Sequence, residues 1–208
     1  MDQRTVTVTG SGTAAVTPDV VRLDLRVGHD AADVGAALAG AASGVTAVVA
    51  SVRASGVADA DIRTLDADVS QRFDATGRPV GFTAQQRLRV VVRRPETVGA
   101  LLERAAGEVG NALLVDQVRL DVADRRPALA EARDAAYADA RAKAEQYAAL
   151  AGGALGDVLG VVEDGALPVS AVPFGVARDS AVGMPVETGE LELGAAVTVT
   201  WDLTAAGQ

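Results

Sequence analysis

The sequence predicts an α+β protein: a largely antiparallel sheet, or sheets, packed by two long amphipathic helices and one short helix. Three observations predict it. Several segments alternate apolar and polar residues with the period of a strand. Two of these adjoin across a short turn, as a hairpin does. Three other segments carry apolar residues three and four apart, the period of a helix with one buried side.

The elements follow in order. Val6 and Val8 alternate with Thr5, Thr7 and Thr9, which reads as a first strand, and Val20–Val27 reads as a second. Between them stands Gly10-Ser11-Gly12, read as a bend or bulge between two strands. Asp30 reads as the N-cap of a long helix, with Asp33 three residues on in the manner of a capping box. Its stripe is Val34, Leu38, Ala41, Val45, Val48 and Val52, and Gly56 closes it. Gly35, Gly40 and Gly44 interrupt that helix, which implies close packing on a sheet. Ile62–Phe73 and the run from Phe82 to Arg93 form a hairpin around the turn Asp74–Pro79. Its polar face sets Asp66 and Asp68 near Arg87 and Arg89, as cross-strand pairs worth little energy.

Pro95 suits the first turn of the short helix, whose stripe is Val98, Leu101, Leu102 and Ala105. Gly110-Asn111 ends it, and Leu114–Val122 is a further strand. Asp124 caps an alanine-rich helix running to Leu150, with Leu129, Ala132, Ala136, Tyr147 and Leu150 near one side. Leu155–Val162 reads as a strand and residues 163–188 as a long Pro/Gly-rich loop, functional or mobile. Alternation from Leu191 to Leu203 makes a closing strand. Residues 1–208 read as a single domain, with two lobes of about 1–94 and 95–208 as the alternative division.

Composition narrows the function. The 208 residues are 49% hydrophobic, enough for a core, and the net charge is −9. That charge argues against a broad nucleic-acid interface, which needs a basic face. The chain has no cysteine and one histidine, so disulfides, thiolate chemistry and multi-histidine metal sites are excluded. Lys143 is the single lysine among many arginines, a bias that reads as codon usage. No window reaches the roughly 18 apolar residues that a membrane helix needs, so no transmembrane segment is expected. No signal peptide is visible, so the chain reads as cytoplasmic, or as periplasmic or cell-envelope if an export signal was trimmed.

Five features could carry chemistry. Gly10-Ser11-Gly12 leads into a strand rather than a helix and lacks the third glycine of a dinucleotide loop. His29 stands beside Asp30, but neighbours in sequence rarely aim side chains at each other, and no nucleophile elbow accompanies them. Asp66/Asp68 and Glu190/Glu192 are carboxylate pairs at a spacing of about 7 Å along a strand, within the range for paired-carboxylate work. Neither pair has a third ligand or a positioned base. Arg125-Arg126 opens a helix whose dipole disfavours cations there, which suits an acidic partner or solvent. The few aromatics are too scattered for a base-stacking platform. No catalytic, cofactor or metal site is therefore assigned, and no cofactor is expected.

Four stretches resemble the SIMPL-domain family, which includes bacterial oxidative-stress defence proteins and proteins like the periplasmic immunogenic protein. They are VTVTGSGTAAVTPD, GFTAQQRLRVVVR, DAAYADARAKAEQYAALAGG and PVETGELELGAAVTVTWDL, in the family's order and across nearly the whole chain. The resemblance implies no established catalytic residue or cofactor. It implies ties to stress tolerance and to large homo-oligomers. Many relatives carry an export signal.

The expectation is a non-enzymatic, self-assembling protein with a stress-protective or scaffolding role. The alternative is a module binding a small ligand or peptide through the 163–188 loop, with Phe174 and Met184. A remote third reading is an acid-dependent hydrolase using one of the carboxylate pairs. Beyond Met1, Met184 is the only oxidisable sulfur, so any antioxidant role would be indirect.

Overall fold

The structure is a computed structural model describing residues 4–171 and 189–205. Among these residues the chain forms three α-helices and seven strands in two antiparallel sheets. This is the α+β class that the sequence predicts. The chain divides into two compact units, one built from 4–17, 122–171 and 189–205, the other spanning Pro18–Asp121. The units are not successive halves of the sequence: the second is inserted between the first strand and last helix of the first.

The inserted unit holds a four-stranded sheet. Strands β2 (Val20–Ala31), β3 (Ile62–Phe73), β4 (Pro79–Val92) and β5 (Leu113–Asp121) lie in the order β3-β4-β2-β5. Helices α1 (Val34–Ala54) and α2 (Val98–Val109) belong to the same unit. The core is built from Val21, Leu23, Leu25 and Val27 of β2, Leu88, Val90 and Val92 of β4, Val48 and Val52 of α1, and the predicted α2 stripe. Each valine or leucine among them contributes roughly 1.5–3 kcal/mol when fully buried.

The hairpin turn is built by Asp74. Its Oδ1 accepts from the amides of Thr76 at 2.8 Å and Arg78 at 3.0 Å. Gly77 supplies the positive φ of +80° that the turn requires.

Two features of α1 differ from the sequence reading. Its N-cap is Asp33, whose Oδ1 accepts from the Ala36 amide at 2.9 Å, because β2 continues through Asp30 to Ala31. Of the predicted stripe Ala41, Val48 and Val52 are buried, but Ala37 faces inward while Val34 and Leu38 are 40% and 49% exposed. The cause is proximity. A Cβ at Gly40 would lie 2.1 Å from the His29 ring, and one at Gly44 2.8 Å from Val27. At that separation only small residues fit the facing positions near Gly40, whereas Val48 and Val52 reach the core further along the helix. Its many alanines and valines also raise the span's hydropathy: an 18-residue window of α1 averages 1.6, so by length and composition this helix could cross a membrane. The helix thus departs from the expectation that no window is apolar enough to span. Here it packs on β2, β4 and α2.

The other unit holds β1 (Thr5–Val16), β6 (Gly153–Ala171) and β7 (Leu191–Ala205) in the order β1-β7-β6, with helix α3 (Arg126–Leu150). The strand β6 extends nine residues past the predicted end at Val162, into the segment read as loop. Its pairing with β7 shifts register at several points between Leu155 and Ser170. Those irregularities destroy the alternation that would have marked a strand. Residues 172–188, the rest of the predicted loop, lie outside the described residues.

Helix α3 buries Ala128, Ala132, Ala136, Ala140, Ala144 and Ala148. Tyr147 and Leu150, read as part of the inward stripe, are 55% and 77% exposed. The buried face is alanine alone at every fourth residue.

Candidate functional site

The opening glycines mark a helix–strand seam. β1 pairs with β7 from Thr5 to Val16 without any shift of register, so there is neither bend nor bulge at Gly10-Ser11-Gly12. Even-numbered residues of β1 face α3. A Cβ at Gly10 would lie 2.1 Å from the Ala136 carbonyl oxygen, and one at Gly12 2.3 Å from that of Ala132. The two backbones therefore touch. Two residues of strand advance about 6.7 Å, and four residues of helix about 6 Å. The repeats nearly match, so Val8, Gly10, Gly12 and Ala14 climb one side of the seam as Ala144 to Ala128 descend the other.

That closeness brings two side chains of α3 to the β1 backbone. Asp139 Oδ2 accepts from the Ser11 amide at 2.9 Å. Lys143 Nζ donates to the Thr9 carbonyl at 3.1 Å and to Asp139 Oδ2 at 2.7 Å. The Lys143 ammonium, and secondly the Ser11 N–H, hold the Asp139 carboxyl below its ordinary range. The single lysine thus has a place in the fold that codon usage does not account for. Its sequence signal is an Asp-x-x-x-Lys spacing on a helix; its backbone acceptor is 134 residues away.

The second polar constellation is the sheet face opposite α1 and α2. Arg22 pairs with the buried Asp121, and Arg26 with Asp116 at 2.5 Å. Arg89 holds Asp24 through two bonds of 2.7 Å, and Arg93 holds Asp61 at 2.7 and 2.8 Å. Arg87 bonds Asp66 at 2.5 Å, so the predicted Asp66–Arg87 pair forms, whereas Arg89 turns to Asp24 instead. Arg89 and Arg87 keep the carboxyls of Asp24 and Asp66, respectively, below the usual carboxylate range. Arg26, Asp66, Asp68, Gln85, Arg87 and Asp116 line an open hollow of about 460 Å³. Its guanidinium groups already serve its own carboxylates. An ionised Asp66 held by Arg87 is a poor general acid.

The remaining features are dispersed. His29 packs against Gly40 of α1. The Asp30 carboxylate instead accepts from Thr83 Oγ1 at 2.6 Å and pairs with Arg72 at 2.9 Å, so no His–Asp pair forms. Glu190 precedes β7, and Glu192 lies within it opposite Ala15. Arg126 bonds Asp124, which also accepts the Arg126 amide at 3.0 Å. Those bonds lower the Asp124 carboxyl from 3.8 to about 2. Among the described residues, no three His, Cys, Asp or Glu side chains group as metal ligands. Phe174 and Met184 lie outside the described residues.

A family model described as SIMPL, protein of unknown function (DUF541), matches residues 6–201. The chain belongs to the SIMPL family. The match runs from the second residue of β1 to Trp201 of β7, so it takes in the seam, the charged sheet face and the inserted unit of this SIMPL protein. No curated protein matches the chain.

Proposed function

We propose that this SIMPL protein is a non-enzymatic, self-assembling protein with a protective or scaffolding role, its copies joined along β6. One observation carries the reading. β6 is an edge strand of 19 residues, and it exposes Val158, Leu159, Val161 and Val162 at 44–60%. An edge strand presents unpaired N–H and C=O groups to any other strand, and the stretch Val158–Val162 between Asp157 and Glu163 is apolar. Natural edges of this length are ordinarily covered or charged, and a second copy supplies both the hydrogen bonds and the apolar cover. The internally paired charges of the sheet face favour a structural over a catalytic role.

Light scattering on a sizing column tests this. The expected mass exceeds the 21.0 kDa of one chain and persists on dilution. The double substitution Val161→Lys/Val162→Lys should return it to one chain with an unchanged circular dichroism spectrum. A native chain that stays at one-chain mass at millimolar concentration overturns the reading.

A further inference from the structure

Among the described residues the three-stranded sheet has two edges, β1 and β6, and they are built differently. The Leu203 amide donates to the Arg4 carbonyl at 2.8 Å. With the unbroken register, this makes the even-numbered residues of β1 the ones bonded to β7. The odd-numbered residues therefore turn their N–H and C=O outward, toward the free edge. Thr9 C=O and Ser11 N–H are two of these outward groups, and they flank Gly10. They are the groups taken by Lys143 and Asp139. An incoming strand would need those same groups. It would also meet an ion pair of 2.7 Å lying across its path.

We propose that Asp139 and Lys143 form a latch that closes the outer edge of β1, so that strand addition by a second copy is confined to β6. The latch depends on the seam. Only with glycine at positions 10 and 12 does α3 come near enough for an aspartate, with its single methylene, to reach the Ser11 amide. The consequence for assembly rests on the self-association reading above. Pairing β1 of one copy with β6 of the next would be head-to-tail and could run on without closing. With β1 latched, β6 meets β6 of another copy about a two-fold axis, and growth through this sheet stops at two.

The test uses the full chain and three variants: Asp139→Ala, Lys143→Met and, as a control, Arg141→Met. Arg141 pairs with Glu145 on the same helix and its removal leaves β1 untouched. Amide hydrogen exchange at Ser11 is read by NMR, and mass by light scattering. The Ser11 amide should be protected in the native chain and in Arg141→Met, and should exchange about tenfold faster in Asp139→Ala, as expected for loss of one charge-assisted hydrogen bond. Asp139→Ala and Lys143→Met should also form species larger than those of the native chain. Unprotected Ser11 in the native chain, or unchanged exchange in Asp139→Ala, overturns the latch. Protected Ser11 in a chain that never self-associates leaves the latch standing and removes the self-association reading instead.

Discussion

Gly12 and Gly107 are both glycines in regular elements, and the structure assigns them opposite energetics. Alanine at Gly12 would drive its Cβ into the Ala132 carbonyl and Ala136 amide of α3, backbone groups that cannot step aside. Overpacking of that kind costs about 1–3 kcal/mol, and here the seam itself must open. Gly107, inside α2, has nothing within 4 Å of its Cβ position. Alanine there should stabilise by roughly 0.5–1 kcal/mol through helix propensity and a less flexible unfolded chain. Urea denaturation of Gly12→Ala and Gly107→Ala should shift the midpoint in opposite directions; a tolerated Gly12→Ala would refute the seam. The sequence shows that Gly10-Ser11-Gly12 is not a phosphate loop, since no helix follows. It does not show why glycine is required, because the partners, Ala132 and Ala136, lie far along the chain. Lys143 is opaque for the same reason: its acceptor is a backbone carbonyl, which leaves no mark in the sequence.

At the scale of elements, hydrophobic periodicity found the three helices, the hairpin and the closing strand. The α2 stripe of Val98, Leu101, Leu102 and Ala105 is buried as its spacing predicts. Where reading and structure part, the cause is the same in both long helices. Large apolar residues mark a buried face only when helix and sheet stand a side chain apart. The N-terminal half of α1 and the whole of α3 approach more closely than that, so alanine marks the inward face there and Leu38, Tyr147 and Leu150 turn out, whereas Val48 and Val52 are buried further along α1. The start of α3 offers an acid-dependent test. Asp124 has a folded pKa of about 2, below its ordinary 3.8. Its contribution is therefore present above about pH 4 and lost as pH falls through 2. The stability gap between the native chain and Asp124→Ala should be full at pH 5 and shrink toward zero near pH 2. A gap independent of pH would mean that Asp124 does not hold the helix start through its charge.

For the whole molecule, the resemblance in the sequence and the family match agree on membership, and both leave activity to be argued from the fold. The arrangement into one unit inserted within another was not legible. Pro18 and Asp121, where the chain passes between units, stand in strand-like or charged surroundings with no linker signature. The edge character of strands was also hidden, since alternation reports a face and not a neighbour. Among the described residues the edges of the three-stranded sheet differ, the outward Thr9 and Ser11 groups of β1 being taken by Lys143 and Asp139, and the self-association proposed above would place a second copy on β6. Amide exchange along β1 and β6 of the full native chain, compared at low and high concentration, tests that asymmetry most directly. The β6 amides should gain protection as concentration rises, while those of Thr9 and Ser11 should not change. Concentration-dependent protection along β1, or none on either strand, would contradict a sheet that associates through β6 alone.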